Sequence, residues 1–494
     1  MDTARAPGTE CSHRTQRSRD AADIAFWLGL GTVIPLLVWW LGWFPGFLSK
    51  ESLEQLAEVE QFRFTSLYPP IHTIALWAGT RLWNTPGAVA LLQVLAMVLL
   101  LATVSRRLTR LGMPVAVAVG TVWAVSSLPA VGSITVAVWS DVAFALALVW
   151  TFVELLALAR LGDAFWANRA NQVRLGSALA LVWLLRRSGP LTVVLLAFVF
   201  LVVYRDRLRS LAVSAGVLVA TVLFVQAILY SVFPVDRVSP AVGDLYPSVV
   251  ASSLTHEQES FSASELAYLE TIAPLDVWTG AYLCEDGSAL IKDRDFDPDA
   301  IRREPRRFRS LMLRSVVRDP DTALGHRLCA ASFLFIPRQP LGGVFERVPY
   351  AIPANDLGLE RSPVSDGAFR LTKAILVRTE QPDDLWLWWR PGLLVWLAMA
   401  TYVALAVRRR FRLLWPGAAF AAHLVALVVT AASPAFRYAL GIYLISLLSL
   451  PLALMVFRSK GVPQTASTQA TTAATRAGSA VPAGASMRTS AKAS

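Results

Sequence analysis

Long apolar segments recur along this chain, and they limit its fold more than any other feature of the sequence. A helix needs about 20 consecutive apolar residues to cross a bilayer, where it satisfies its own backbone hydrogen bonds. A hydrophobic content of 55% and a mean hydropathy of +0.50 are typical of the same class of protein. We therefore predict a mainly α-helical, polytopic membrane protein. Its ten predicted spans cover residues 24–44, 86–105, 113–132, 140–159, 174–186, 189–204, 211–233, 389–407, 413–432 and 437–457.

The net charge of +11 is distributed in a way that predicts membrane topology and not nucleic-acid binding. Basic residues cluster before span 1 and after spans 2, 4, 6, 8 and 10, which places all the clusters on one side. Short loops rich in Lys and Arg remain in the cytoplasm. We thus predict a multi-pass plasma-membrane protein with both termini cytoplasmic and with membrane lipids among its partners. The clusters comprise Arg5, Arg14, Arg17 and Arg19; Arg106, Arg107 and Arg110; Arg160, Arg169 and Arg174; Arg205, Arg207 and Arg209; Arg408, Arg409, Arg410 and Arg412; Arg458 and Lys460.

The spans divide the chain into regions with different expected environments. In chain order these are a disordered cytoplasmic N-terminus (1–23), a transmembrane module of spans 1–7 (24–233), an external soluble domain of mixed helix and loop (234–388), spans 8–10 (389–457) and a disordered cytoplasmic tail (458–494). Cys284 and Cys329 both fall in the external region, where a disulfide would persist. Two unpaired thiols are the alternative.

The first external loop, residues 45–83, carries more carboxylates than a connector needs. Glu51, Glu54 and Glu58 are spaced so that they share one face of a helix. A carboxylate at a low-dielectric membrane border is suited to act as a general base. A solvated helix face is the structural alternative.

Asp141 is the second candidate, because it stands at the external mouth of span 4 between Trp139 and an apolar run. A carboxylate at a span boundary is costly unless it is paired, hydrated or used. Ser140 and Asp141 also have the character of a helix N-cap, which is the structural alternative.

Two arginine motifs lie on the side where cations are otherwise sparse. Arg186 and Arg187 precede Ser188-Gly189-Pro190 between spans 5 and 6, and Arg437 precedes Tyr438 at the start of span 10. Guanidinium groups suit bidentate contact with phosphate, here of a lipid or a lipid-linked substrate. A structural ion pair and contact with ordinary lipid head groups are the respective alternatives.

In order and sidedness, these elements resemble the polytopic C-type glycosyltransferases (the GT-C superfamily), in particular its bacterial protein-mannosyltransferase-like and related uncharacterised membrane families. The resemblance covers spans 1–7 best. It rests on an acidic first external loop that ends in Tyr68-Pro69-Pro70-Ile71-His72-Thr73, on Trp139-Ser140-Asp141, on Arg187-Ser188-Gly189, and on Pro434-x-x-Arg437-Tyr438.

The resemblance implies transfer of a sugar from a polyprenyl-phosphate-linked donor to a cell-envelope glycan, lipid or protein, by an inverting mechanism on the outer face. It points to Glu51 as the base and to Asp141 as the second catalytic acid, which in some members helps to hold a divalent cation such as Mg²⁺ or Mn²⁺ or orients the acceptor. Arg187 and Arg437 would bind the phosphate. Glu54, Tyr68 and His72 are the further expected substrate contacts, and a packing or hydrogen-bonding role is the alternative for His72.

This chain departs from the family at two of these positions. Glu51 stands where Asp is common, and Tyr68 stands where many members carry His or Lys. A lipid-linked-sugar flippase or transporter, and a non-catalytic protein of envelope assembly, are the competing functional hypotheses. A transporter would place charges deep within its spans or pair broken helices.

Overall fold

The computed structural model describes residues 7–237, 245–339, 347–431 and 433–457. Helices dominate these residues, and the strands are a two-residue parallel pair, β1 (Phe64–Thr65) and β2 (Val235–Asp236). The helices of the first half are α1 (Pro7–Leu30), α2 (Val33–Gly42), α3 (Lys50–Gln61), α4 (Pro70–Trp83), α5 (Gly87–Arg110), α6 (Val115–Ser127), α7 (Pro129–Thr135), α8 (Ser140–Leu161), α9 (Asp163–Ala167), α10 (Arg169–Leu185), α11 (Gly189–Val203), α12 (Leu208–Leu223) and α13 (Tyr230–Val232).

The second half is also helical. Its helices are α14 (Leu245–His256), α15 (Ala263–Glu270), α16 (Leu275–Gly280), α17 (Ser288–Ile291), α18 (Pro298–Arg303), α19 (Pro305–Arg318), α20 (Pro320–Ala330), α21 (Asp366–Thr379), α22 (Leu385–Trp388), α23 (Gly392–Val407), α24 (Trp415–Thr430), α25 (Phe436–Ser449) and α26 (Leu454–Phe457). Short 3₁₀ turns join several helices, and one π-helical stretch (Phe224–Leu229) links α12 to α13.

Six helical segments in the described residues are long and apolar enough to cross a membrane, or seven if the bent pair α6–α7 is counted as one span. The six are Arg19–Gly42, Gly87–Arg110, Ser140–Leu161, Arg205–Val232, Phe411–Thr430 and Phe436–Phe457. The prediction of a mainly helical protein with several apolar membrane-length helices is confirmed, but the number of ten spans is not.

The difference has a geometric cause. Helices α11 and α23 are apolar but contain only 15 and 16 residues, or about 22–24 Å at 1.5 Å per residue. A bilayer core is about 30 Å thick. The predicted span 174–186 lies mainly in α10, which is 17 residues long. Its first two turns are also polar, since they hold Arg169, Asn171, Gln172 and Arg174.

The structure describes part of the N-terminal segment as helical. We expected disorder through residue 23, whereas α1 begins at Pro7 and runs without interruption into the apolar segment. Helix extension costs little once a turn exists, so the apolar segment can propagate its helix into polar residues. An ion pair of 2.6 Å between Asp23 and Arg106 of α5 holds the end of the polar part. Residues 1–6 and the tail 458–494 lie outside the described residues.

The predicted soluble domain 234–388 is divided between two hydrophobic cores. Helices α14–α19 surround a core of their own that includes the fully buried Trp278 and Phe308. Helix α21 instead packs on α2, where Trp43 Nε1 donates to Thr372 Oγ1 over 2.8 Å, and it belongs to the main core. The structure also joins Cys284 to Cys329 of α20 in a disulfide, with Cα atoms 5.8 Å apart.

Candidate functional site

Helix α3 presents the acidic face that the sequence predicts. Ser49 caps its N-terminus by accepting from Ser52 N, while the Ser52 hydroxyl accepts from Ser49 N, which forms a capping box. Leu53, Leu56 and Val59 are buried on the opposite side. The prediction that a helix carries the glutamates on one face is confirmed. Their partners differ, so they are not equivalent groups.

Three contacts dock α3 and the loop before it onto the segment that leads into α8. Ser52 Oγ donates to Val138 O over 2.9 Å, and Trp139 Nε1 donates to Ser49 Oγ over 3.0 Å. Phe47 pairs with Ala137 in a single parallel β-bridge. These bonds bring the first turn of α3, with Glu51, next to the first turn of α8, with Asp141.

Glu51 forms an ion pair with Arg437. The Oε2 and Nη1 atoms are 2.5 Å apart, and the side chains are 21% and 15% exposed. The Arg437 guanidinium carbon also lies 5.4 Å from the Trp139 ring centroid. The predicted base and one of the predicted phosphate ligands are therefore in direct contact.

Asp141 forms the second ion pair of the site, with Arg186. Its Oδ1 lies 3.3 Å from Arg186 Nη1, and its side chain is only 6% exposed. No side chain caps α8, because Trp139 occupies the N-cap position, but Asp141 does lie in the first turn of the helix, where negative charge is favoured. Burial makes this pair different from a surface pair, since removing one partner would leave the other charge desolvated.

Tyr438 connects the two ion pairs. The guanidinium carbons of Arg186 and Arg437 lie 4.6 and 5.1 Å from its ring centroid, within the range of cation–π contact. Arg186 Nη1 also donates to Tyr438 O over 2.9 Å, and Arg437 Nη2 donates to the Tyr438 hydroxyl over 3.4 Å. We call Glu51, Arg437, Tyr438, Arg186 and Asp141 the paired-charge cluster.

A cavity of about 930 Å³ adjoins this cluster at Arg186. We call it the arginine cavity, because Arg186, Arg187 and Arg237 all line it. Its other lining residues are Ser66, Tyr68, Pro69, Pro70, Trp183, Leu184, Pro190, Gln226, Tyr230, Ser231 and Val235. A volume of this order accommodates a small organic ligand or one end of a larger one.

Tyr68 connects the arginine cavity to the acidic helix. Its hydroxyl donates to Glu54 Oε2, and Glu54 is also 3.9 Å from Lys50 Nζ. Burial, the bond to Glu54 and the nearby carboxylates all raise the pKa of Tyr68 above its ordinary value. The hydroxyl therefore remains a donor at neutral pH. Tyr68 and Glu54 thus lie together, although of the two only Tyr68 lines the cavity.

Arg187 lies at the rim of the same cavity. Its Nη2 donates to Leu67 O over 2.9 Å, which holds the loop before Pro69 and Pro70 against the turn between α10 and α11. The Arg187 side chain is otherwise exposed. Glu58, the third glutamate of α3, instead bonds to Thr65, and burial raises its pKa.

His72 is not brought to the site. Its side chain is 2% exposed, its Nδ1 lies 2.8 Å from Gln55 Oε1 between α4 and α3, and burial lowers its pKa to about 4. It is not among the residues that line the arginine cavity. The structure gives it the packing role that a buried, neutral histidine fills, and not the predicted substrate contact.

The residues around Asp141 do not fit a divalent cation. Within the described ranges, no three His, Cys, Asp or Glu side chains converge as a metal site requires. The carboxylate faces the Arg186 guanidinium, which would repel a cation at that position.

Two further arginines line the cavity. Arg186 belongs to the motif that we singled out, and its pair with Asp141 is the structural ion pair that we gave as the alternative for that motif. Arg237 follows span 7 in a polar segment and has no motif around it. Only the pairing of β1 with β2, in which Phe64 lies opposite Val235, carries Arg237 to the cavity.

No known protein family, curated protein or solved structure matches this chain.

Proposed function

We propose that this protein is a membrane glycosyltransferase that takes a sugar from a polyprenyl-phosphate-linked donor and transfers it to a cell-envelope acceptor. The observation that supports this best is the arginine cavity, which combines guanidinium groups with apolar walls beside two carboxylate–arginine pairs. The distribution of Lys and Arg in the sequence supports a plasma-membrane protein whose site of sugar transfer lies on the outer face.

The walls of the cavity are suited to a lipid-linked phosphate. Arg187 and Arg237 would bind phosphate oxygens, while Trp183 and Leu184 offer apolar surface to the first isoprenoid units. Gln226, Tyr230 and Ser231 come from the helical segment Arg205–Val232, of which only 11% is buried. Its side chains Leu223, Ile228 and Val232 are more than half exposed, so a membrane-embedded chain could approach along this helix.

The paired-charge cluster is suited to the transfer step. In that step the acceptor hydroxyl oxygen bonds to the anomeric carbon of the sugar and its proton passes to a carboxylate. The bond between the anomeric carbon and the phosphate oxygen breaks, and the lipid phosphate leaves with the electron pair. Glu51 is the proposed proton acceptor, and Arg437 would exchange its contact with Glu51 for the departing phosphate.

Glu51→Gln and Asp141→Asn test this proposal. Each change keeps the shape of the side chain but removes the charge that pairs with Arg437 or Arg186, so we expect each to lower sugar transfer at least about 100-fold. The measurement is the sugar composition and linkage of the envelope in cells that lack the gene and carry each variant. Membrane insertion is checked by the amount of full-length protein in the membrane fraction.

Glu60→Gln is the matched control, because Glu60 lies on the same helix and is exposed. It should transfer sugar at the wild-type level. Full activity of both Glu51→Gln and Asp141→Asn would contradict the proposal.

One observation favours the transporter as a second candidate. Helices α6 and α7 form an apolar pair bent by 66°, the type of broken helix that transporters use. A transporter of this type would contain a second, related broken helix, and none of the other described apolar segments is broken in this way. If purified protein in vesicles moved a lipid-linked sugar between leaflets without transferring it, the transporter would replace the enzyme.

A further inference from the structure

We infer that the arginine cavity selects a donor whose lipid and sugar are joined by a diphosphate rather than by a single phosphate. This inference rests on the proposed function and specifies its substrate class. The inference is based on the number of arginines in the cavity that have no carboxylate partner among the described residues.

The three guanidinium groups of the cavity are not equivalent. Arg186 is neutralised by Asp141 at 3.3 Å and is held further by Tyr438. Neither Arg187 nor Arg237 has a carboxylate within 4.0 Å in the part of the chain that the structure describes, and no carboxylate is among the residues that line the cavity. Among the residues that the structure describes, no carboxylate pairs with either of these two positive charges of the cavity.

The two uncompensated arginines come from different elements. Arg187 lies in the turn between α10 and α11, whereas Arg237 follows β2, and both are exposed. Strand β2 positions Arg237 through its pairing with β1, in which Thr65 lies opposite Asp236. Val235 of β2 and Arg237 directly after the strand both line the cavity, whereas Asp236 between them does not, which fits the alternation of side chains in extended backbone.

The charges of the two donor classes differ by one. A phosphate esterified by both a polyprenol and a sugar carries a single negative charge, and a diphosphate between the same groups carries two. Two guanidinium groups from separate elements match two phosphoryl groups in charge and in number of binding partners. A single phosphoryl group would leave one of them without an anionic partner.

Binding of soluble isoprenoid probes to the full-length protein in detergent tests this inference. The probes are farnesyl diphosphate and farnesyl phosphate, each used as its methyl ester at the free phosphate so that they carry two and one negative charges as the two donor classes do, and inorganic pyrophosphate, with no added phospholipid. We expect the wild type to bind farnesyl diphosphate at least about tenfold more tightly than farnesyl phosphate. Inorganic pyrophosphate should bind more weakly than farnesyl diphosphate, because it lacks the apolar chain that contacts Trp183 and Leu184.

Arg237→Gln identifies the residue responsible. It should weaken farnesyl diphosphate binding about tenfold and farnesyl phosphate binding less than about threefold, so that the preference is lost. Arg237→Lys should keep most of the preference because it keeps the charge. Arg309→Gln, on the exposed face of α19, is the control and should change neither affinity.

Equal affinity of the wild type for the two farnesyl probes would overturn the inference, and so would an Arg237→Gln variant that weakens both equally. Addition of anionic phospholipid separates a site for head groups from a site for the donor. If phospholipid displaced farnesyl diphosphate at equal concentration, the cavity would be a lipid site and the inference would fail. Failure of the proposed function is recognised separately, because it is read from sugar transfer by Glu51→Gln and Asp141→Asn and not from the ratio of affinities.

Discussion

At the scale of single residues, the site is governed by which charges are neutralised. The glutamates of α3 share one helix face, yet Glu51 contacts Arg437, Glu54 contacts Tyr68 and Lys50, and Glu58 contacts Thr65. These partners give the three carboxylates different chemical roles. Of the three, Glu51 alone belongs to the paired-charge cluster. Glu54 is linked to the arginine cavity by its hydrogen bond from the Tyr68 hydroxyl.

Tyr68→Phe isolates that hydroxyl. A hydrogen bond to a charged group contributes about 1.5–3 kcal/mol, so its loss from Glu54 should lower sugar transfer about tenfold or more. Because the pKa of Tyr68 is raised, the hydroxyl is protonated through the neutral range, and the loss should not depend on pH between about 6 and 9. The measurement is the rate of transfer by purified protein at several pH values.

Tyr268→Phe serves as the control for Tyr68→Phe. Its hydroxyl donates to Glu304 O in the separate core of α14–α19, so transfer should be unchanged. A Tyr68→Phe variant with wild-type transfer would show that the bond to Glu54 has no role in the reaction.

At the scale of elements, short contacts between loops assemble the site. The capping box of α3, the bond from Ser52 to Val138 O and the bridge between Phe47 and Ala137 hold the starts of α3 and α8 together. The pairing of β1 with β2 similarly joins the acidic loop to the segment after α13. Elements far apart in sequence thus meet through a few hydrogen bonds between loops and helix starts.

Ser52→Ala tests the contribution of the capping box. It removes the bond from Ser49 N and the bond to Val138 O, and the two together should lower the free energy of unfolding by about 1–3 kcal/mol. The measurement is the midpoint of thermal unfolding in detergent. Ser260→Ala, which removes an exposed hydroxyl bonded to Glu257 O, should leave that midpoint unchanged. An unchanged midpoint in Ser52→Ala would mean that these bonds do not hold the two helix starts together.

At the scale of the whole molecule, two hydrophobic cores divide the chain. The main core joins the apolar helices to α21, and the second core is confined to residues 249–312. The disulfide between Cys284 and Cys329 links the segment of the second core to α20. Arg327 of the same helix donates to Ala431 O at the end of α24, so α20 connects the two parts.

Cys284→Ser should therefore loosen the α14–α20 region and not the apolar helices. A bridge across 45 residues stabilises a fold by about 2–4 kcal/mol through its constraint on the unfolded chain. We expect faster proteolysis within residues 245–330 and a lower unfolding midpoint, with the same effect from reductant on the wild type. Cys11→Ser, outside the bridge, should have neither effect. Equal protease resistance of reduced and oxidised protein would contradict this expectation.

Some of the site was predictable because local spacing specifies it. The period of Glu51, Glu54 and Glu58, with Leu53, Leu56 and Val59 opposite, is enough to predict a helix with one acidic face. The placement of Asp141 at a helix start followed equally from the change of polarity around it. The pairing of Asp141 with Arg186 could not be predicted in this way. The sequence places both residues at span ends, but it does not determine which helices are neighbours.

The sequence by itself determined the helical class of this protein, the apolar segments and the acidic face of α3, because backbone hydrogen bonding and apolar periodicity act over a few residues. The tertiary structure alone decided that Arg437 contacts Glu51 across 386 positions of chain and that Arg237 reaches the arginine cavity. It also decided that His72 is buried against Gln55. Contacts between charges depend on which helices pack together and how far each is rotated, and those are properties of the whole fold.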